Sequence, residues 1–144
     1  MSRVGFVLTL VLLFTLSTSG CISEQEKFYY SLEDAGEDTN SEATSDVLFT
    51  LTLNDKGGAE MVISELKIVI TQDSSTYNCS TTGTDGDCSV VQTFGKDNSS
   101  WEIGETLSVA ENGVDICSQN CILSFTISGP EGSKMVGPTI LNAS

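Results

Sequence analysis

The chain has 144 residues, of which 20 are acidic and 6 basic, so its formal net charge is −14. Such a charge excludes nucleic acid as a partner, because a phosphate-binding surface must supply cations to replace released counterions. The chain also has no histidine, which excludes His-dependent catalytic triads and most zinc or copper sites.

The N-terminus has the pattern of an export signal. Arg3 precedes an apolar run over residues 4–16, and small residues follow that run up to Gly20. This order of basic, apolar and small residues is typical of a signal peptide. The run has about 13 residues, whereas a helix that crosses a membrane needs about 20. We therefore predict a signal peptide over residues 1–20 and no permanent transmembrane helix.

Cys21 follows this signal directly. The segment Thr18-Ser19-Gly20-Cys21 resembles a lipobox, in which cleavage leaves a lipid-modified cysteine as the first mature residue. A lipobox more usually begins with Leu. The other four cysteines lie in the predicted domain, so Cys21 is the odd one and its thiol needs an explanation in an oxidising compartment. We predict lipidation of Cys21, and the alternative is an ordinary secretory signal that ends near a cysteine.

An acidic segment, residues 21–45, leads from this cysteine to the domain. Its low hydrophobicity and high like charge favour an extended, disordered tether. The apolar cluster Phe28–Leu32 interrupts the segment. It is either a short, loosely docked strand or an aromatic patch that rests on the membrane or on the domain. We favour the strand.

Residues 46–144 are predicted to form one all-β domain. Apolar and polar residues alternate over Val47–Asn54 and over Leu66–Thr71, which indicates two strands with one buried face each. Turn-forming residues separate these strands from five weaker candidates, and no window has helical spacing. An antiparallel β-sandwich follows from this pattern. The weaker candidates are Ser89–Phe94, Thr106–Val109, Val114–Cys117, Cys121–Ser128 and Met135–Leu141.

The four domain cysteines form two local pairs. Cys79 and Cys88 flank a run of turn formers, and Cys117 and Cys121 flank three polar residues. Four cysteines allow three connectivities, and the local pairs, each at the base of a hairpin loop, need the least from the fold. Closing these loops stabilises the fold by about 2.7 and about 2.1 kcal/mol on a chain-entropy estimate. Zinc is disfavoured, because its paired ligands are usually closer in sequence than Cys79 and Cys88.

Asp85-Gly86-Asp87 lies inside the first of these loops and raises the question of calcium. Its spacing lacks most of the ligand positions of an EF-hand loop. A solvated loop tip is therefore favoured, weak calcium binding at Asp85 and Asp87 stays open, and we predict no metal or cofactor site.

Three asparagines match the glycosylation motif, namely Asn78, Asn98 and Asn142. Asn98 is the first choice, because it lies in a polar loop, whereas a predicted disulfide constrains Asn78. Trp101 lies beside a predicted strand and is expected in the core. No nucleophile elbow, phosphate-binding loop or dinucleotide motif occurs, so we predict that the chain is not an enzyme.

Two blocks carry a family resemblance. Residues 57–70, which begin Gly57-Gly58, are similar to the Gly-Gly, Leu-Ser-Asp-Leu and strand pattern of archaellins and archaeal type IV pilin-like proteins. Residues 101–109 resemble the Trp, Gly-Glu and Leu pattern of the same families. The resemblance covers roughly residues 47–141 and implies an immunoglobulin-like sandwich on an archaeal cell surface. Those proteins polymerise through a long N-terminal hydrophobic helix, whereas the apolar stretch after Gly5 ends by Ile22.

Two functions are consistent with these features. The first is a lipid-anchored, non-catalytic module on the outer face of the cytoplasmic membrane that binds a surface-layer, filament or glycan partner. We expect its contacts on loops at one end of the sandwich, including the loop from Cys79 to Cys88. The alternative is a filament subunit or minor pilin, processed so that Phe6 is the first mature residue. Solute binding is disfavoured, because one sandwich lacks a two-lobed cleft.

Overall fold

The computed structural model of the chain describes residues 28–36, 39, 44–83, 85–95, 97, 99–130 and 139–143. The predicted signal peptide, Cys21 and Asn98 lie outside these residues, and so does much of the predicted tether. None of the described helices has the length and apolar character that crossing a membrane requires.

Strands dominate the described chain, and the prediction of an all-β fold is confirmed. Ile63–Glu65 forms a short 3-10 turn, and the described residues contain no α-helix. The eight strands are β1 (Tyr29–Asp34), β2 (Val47–Asp55), β3 (Lys67–Gln72), β4 (Ser75–Ser80), β5 (Cys88–Phe94), β6 (Thr106–Glu111), β7 (Cys121–Ser128) and β8 (Thr139–Ala143).

Two-residue periodicity produces the core, because alternate side chains of a strand point to the same face. In β7 the buried side chains are Leu123, Phe125 and Ile127, and the residues between them are serine and threonine. Phe49 of β2 stacks on Phe125 with ring centroids 4.5 Å apart. The inward faces of distant strands therefore share one hydrophobic interior.

All eight strands belong to one sheet, in the order β1-β2-β6-β5-β4-β3-β7-β8. The sheet folds on itself, so that its two outermost strands meet where Tyr30 Oη lies 3.0 Å from Thr139 Oγ1. Neighbouring strands are antiparallel except β4 and β5, which are parallel. The architecture is thus a nearly closed sandwich with one departure from the predicted antiparallel pattern.

The sheet has two ends, which we call proximal and distal. The chain joins the sheet at the proximal end, where β1, β3, β6 and β8 begin and β2, β4, β5 and β7 end. Trp101 closes this end from inside and is fully buried, as predicted. Its indole Nε1 donates to the Glu105 carbonyl at 2.8 Å, and its ring lies 6.4 Å from that of Phe28.

Three segments differ from the prediction. β4 is a strand that the sequence analysis did not predict. Val114–Cys117 is not a strand, because the amides of Ile116 and Cys117 donate to the side chain of Glu111 instead of to a neighbouring strand. Residues of the predicted tether belong to the sheet, since β1 pairs along β2 and Phe28 is 1% exposed. The favoured strand at Phe28–Leu32 is therefore present, and the described fold begins well before residue 46.

Candidate interaction site

The first disulfide joins Cys79 of β4 to Cys88 of β5, with the sulfur atoms 2.00 Å apart. The two cysteines are direct partners in a parallel ladder that continues to Ser80 and Ser89. The sequence suggested a hairpin loop between these cysteines. That prediction is wrong, because a hairpin loop joins antiparallel strands and β4 and β5 are parallel. The chain doubles back after Ser80 before it starts β5, so both strands run toward the proximal end.

Hydrogen bonds hold the returning part of this loop against β4. The Asn78 amide donates to the Asp87 carboxylate at 2.9 Å, and the Asp87 amide donates back to the Asn78 carbonyl at 2.9 Å. Asn112 donates to the Asp87 carbonyl from its amide, at 3.0 Å, and to the Gly86 carbonyl from its side chain, at 2.8 Å. The second half of the loop is thus fixed on both sides, and Asp87 has a structural role.

Asp85 is exposed, and the Asp87 carboxylate is used by Asn78. In the part of the chain that the structure describes, no three His, Cys, Asp or Glu side chains converge in a way that could hold a metal ion.

A shallow cavity of about 230 Å³ lies beside the first half of the loop. This volume is below the roughly 300–1,000 Å³ of small-molecule sites, so it suits one side chain or one sugar ring of a larger partner. Its lining combines two hydroxyl groups with β-branched surfaces, which together can hydrogen-bond and pack against such a group. The cavity is lined by Ile63, Thr81, Thr82, Val90, Val91 and Gln92.

The second disulfide, between Cys117 and Cys121, closes the loop that precedes β7, with the sulfur atoms 2.04 Å apart. The three residues between the cysteines are exposed. Thr39, which belongs to the predicted tether, is buried here with its hydroxyl oxygen 3.6 Å from Cys117 Sγ. Both local cysteine pairs that the spacing indicated are therefore bonded in the structure.

Glu111 is a buried carboxylate that the sequence analysis did not single out. It is 3% exposed, and its Oε1 accepts the amides of Ile116 at 2.7 Å and Cys117 at 2.8 Å. Burial raises the pKa of this carboxyl group, the two amides oppose the rise, and the charges of Asp115 and Asp46 add to it. Its Oε2 has no hydrogen-bond partner among the described residues. The only sign of its burial in the sequence was its spacing, because Glu111 follows Leu107 and Val109 at alternate positions of β6.

Two of the predicted glycosylation sites lie in strands instead of loops. Asn78 is exposed in β4 and Asn142 is exposed in β8. Exposure is required of an acceptor, but both residues have backbone partners in the sheet. Both stay predictions.

Comparison of the chain with models of known protein families and with curated proteins finds no match. The functional interpretation therefore depends on the fold and on the geometry above.

Proposed function

We propose that the chain is an exported lipoprotein, attached through Cys21, whose non-catalytic β-sandwich binds a protein or glycan component of the cell envelope. The main support is the loop between Cys79 and Cys88, which a disulfide and Asp87 hold on the sheet. Thr81 and Thr82, in the first half of this loop, line the cavity beside β5. Recognition residues are commonly found on loops that a rigid scaffold positions.

The two disulfides support a location outside the cytoplasm. Disulfides form and persist in oxidising compartments, whereas cytosolic thiols are kept reduced. Both bonds belong to a small domain, and small exported domains with a limited core commonly depend on such crosslinks. This location agrees with the predicted signal peptide.

The binding role can be tested on isolated cell envelopes with every protein in a Cys21→Ser background, the one called unaltered included, because the proposed lipid anchor would otherwise retain all of them. We expect the triple variant Thr81→Ala, Thr82→Ala and Val91→Ser to lose retention on the envelopes, because it removes the hydroxyls and part of the apolar wall of the cavity. A matched control, Ser118→Ala with Gln119→Ala, alters the exposed loop of the second disulfide. Equal retention of both variants and the unaltered protein, with unfolding transitions that show all three folded, would contradict the proposal.

The anchor can be tested by intact-mass analysis of the native protein after membrane extraction. A mass that corresponds to residues 21–144 plus a lipid adduct is expected. A free N-terminus at Phe6 would instead support the filament-subunit alternative, and an unmodified Cys21 would contradict lipid anchoring.

A further inference from the structure

A shift in strand register turns Phe94 away from the core. Alternate side chains of β5 point inward, and Cys88 and Val90 are buried. Continued alternation would place Phe94 in the core with them. The register between β5 and β6 shifts after Gln92, however, so that Phe94 lies opposite Thr106 and is 70% exposed. Such irregularities commonly re-aim a side chain beside a functional site.

A tight turn before β6 presents a second exposed apolar side chain. The Glu105 amide donates to the Glu102 carbonyl at 3.0 Å and closes this turn, in which Gly104 has a φ of 85°. Ile103 lies at the tip and is 60% exposed. The Gly104 amide donates to the Leu53 carbonyl at 2.8 Å, which ties the turn to β2. The position of Ile103 is therefore fixed by the sheet.

Phe94 and Ile103 line one open depression of about 680 Å³. This volume lies within the roughly 300–1,000 Å³ of small-molecule sites. Two glycines in the lining leave the backbone open to close approach by a ligand. We call this site the aromatic depression, and its lining residues are Phe94, Gly95, Glu102, Ile103, Gly104 and Glu105.

The two carboxylates of the aromatic depression have different roles. Glu105 is 8% exposed, and its Oε2 accepts the Gln92 side-chain amide at 2.7 Å and the Glu102 backbone amide at 2.9 Å. It therefore positions the turn. Glu102 forms an ion pair with Lys56, and its side chain is 48% exposed. Because an ionised carboxylate has about four acceptor positions, Glu102 can accept donors of a ligand while it stays paired with Lys56.

These features favour a neutral sugar over a charged ligand. The net charge of −14 and the two carboxylates repel an anion. A cation would compete with Lys56 for Glu102, whereas a hydroxyl group can donate to the same carboxylate without displacing the ammonium group. The C–H groups of a sugar ring are weakly positive and pack on the negative face of an aromatic ring. A sugar thus supplies both contacts that the aromatic depression offers.

We propose that the aromatic depression binds an uncharged glycan, with one sugar ring stacked on Phe94, Ile103 packed beside it, and sugar hydroxyls donating to Glu102. The site is separate from the cavity beside the loop of the first disulfide. It also does not require lipidation of Cys21. The inference therefore goes beyond the proposed function, and either can fail without the other.

The test uses the full native chain, purified in a detergent that has no sugar groups. The probe is the neutral oligosaccharide fraction released from isolated cell envelopes and immobilised on beads. Phe94→Leu keeps an apolar side chain but removes the ring, whereas Phe94→Tyr keeps the ring. Ile122→Ala is the control for loss of an exposed apolar side chain, because Ile122 is 65% exposed and lies in β7, outside the aromatic depression. Urea unfolding compares the stability of all samples.

We expect Phe94→Leu to raise the apparent dissociation constant by about tenfold, as loss of a good aromatic contact does. Phe94→Tyr and Ile122→Ala should bind as the unaltered protein does. Failure of the unaltered protein to bind the neutral fraction, or equal binding by folded Phe94→Leu, would overturn the inference. So would retention that depends on Phe94 on envelopes whose sugars periodate has oxidised, measured in the Cys21→Ser background, because the occupant would then be a protein.

Discussion

Glu111 organises a loop that no neighbouring strand supports. Its Oε1 replaces a backbone carbonyl as the acceptor for Ile116 and Cys117, so the chain can turn toward the second disulfide with both buried amides satisfied. The same burial raises the pKa of the carboxyl group above its ordinary value of 4.5. The stability of the fold is therefore linked to the protonation of this residue.

The sign of this linkage follows from which state binds the proton. A carboxyl group with a raised pKa in the folded state stabilises the fold below its ordinary pKa, and this contribution is lost as the pH rises through the folded value. Glu111→Gln keeps an acceptor for the two amides and removes the charge. We expect this variant to be more stable than the unaltered protein at neutral pH, with the difference shrinking toward pH 4.5.

Urea unfolding at a series of pH values measures this difference in the free energy of unfolding. Glu111→Leu is the control, because it removes the acceptor and leaves two buried amides unsatisfied, at about 1–3 kcal/mol each. It should be less stable throughout. A constant difference between Glu111→Gln and the unaltered protein over the whole pH range would show that the Glu111 pKa is not shifted.

Gly86 is required by the close approach of the loop to β4. A Cβ atom at this position would lie 2.7 Å from the Asn78 carbonyl oxygen and 2.8 Å from the Ser80 amide nitrogen, both backbone atoms. We expect Gly86→Ala to lower the free energy of unfolding by about 1–3 kcal/mol, as overpacking does elsewhere. In Gly83→Ala the new Cβ would have no heavy atom within 4 Å. Equal stability of the two variants in urea titrations would contradict this contact.

At the scale of elements, β1 lies in the part of the chain that was predicted to be a tether, and it attaches that part to the sheet. It pairs with β2 along its whole length, from Tyr29 opposite Asp55 to Asp34 opposite Phe49. Tyr30 packs against Phe125 with ring centroids 6.4 Å apart. The acidic residues of this strand do not prevent docking, because exposed and half-buried positions alternate along it. The acidic composition of this segment favoured disorder. The alternation of exposed and half-buried side chains nevertheless lets β1 pair as an outermost strand of the sheet.

Truncation of Phe28 tests the docking of β1. Because this side chain is 1% exposed and packs beside Trp101, Phe28→Ala should destabilise the fold by about 3–5 kcal/mol. Tyr29→Ala alters the next residue, which is 53% exposed, and should have a much smaller effect. Thermal and urea unfolding measure both. A Phe28→Ala variant as stable as Tyr29→Ala would show that residues 28–34 are a free tether.

For the whole molecule, the net charge of −14 destabilises the compact state through self-repulsion. Salt screens this repulsion, since the Debye length falls from about 30 Å at 0.01 M to about 8 Å at 0.15 M. We expect the melting temperature at neutral pH to rise over this range of sodium chloride concentration.

The matching control is the same titration near pH 4, where many carboxylates are protonated. The rise should be smaller there. A melting temperature at neutral pH that does not change with salt would mean that repulsion among the carboxylates is already balanced within the fold.

Several features of the fold could be predicted because they are local in sequence. Alternation in Val47–Asn54 and in Leu66–Thr71 marked strands of the core, since a two-residue period is a property of the strand itself. Cysteines nine and four positions apart indicated the two bonds found in the structure, because short loops close easily. Trp101 was expected in the core because it is a large aromatic residue beside a predicted strand.

Other features depend on contacts between distant parts of the chain, and only the tertiary structure decided them. The parallel pairing of β4 with β5, the burial of Glu111 and the docking of Phe28 each require partners that no local pattern specifies. The contact of Tyr30 with Thr139, 109 positions apart, brings the two edges of the sheet together. The sequence by itself determined composition, charge and strand periodicity, whereas contacts between residues far apart in the chain decided how the sheet closes around one core.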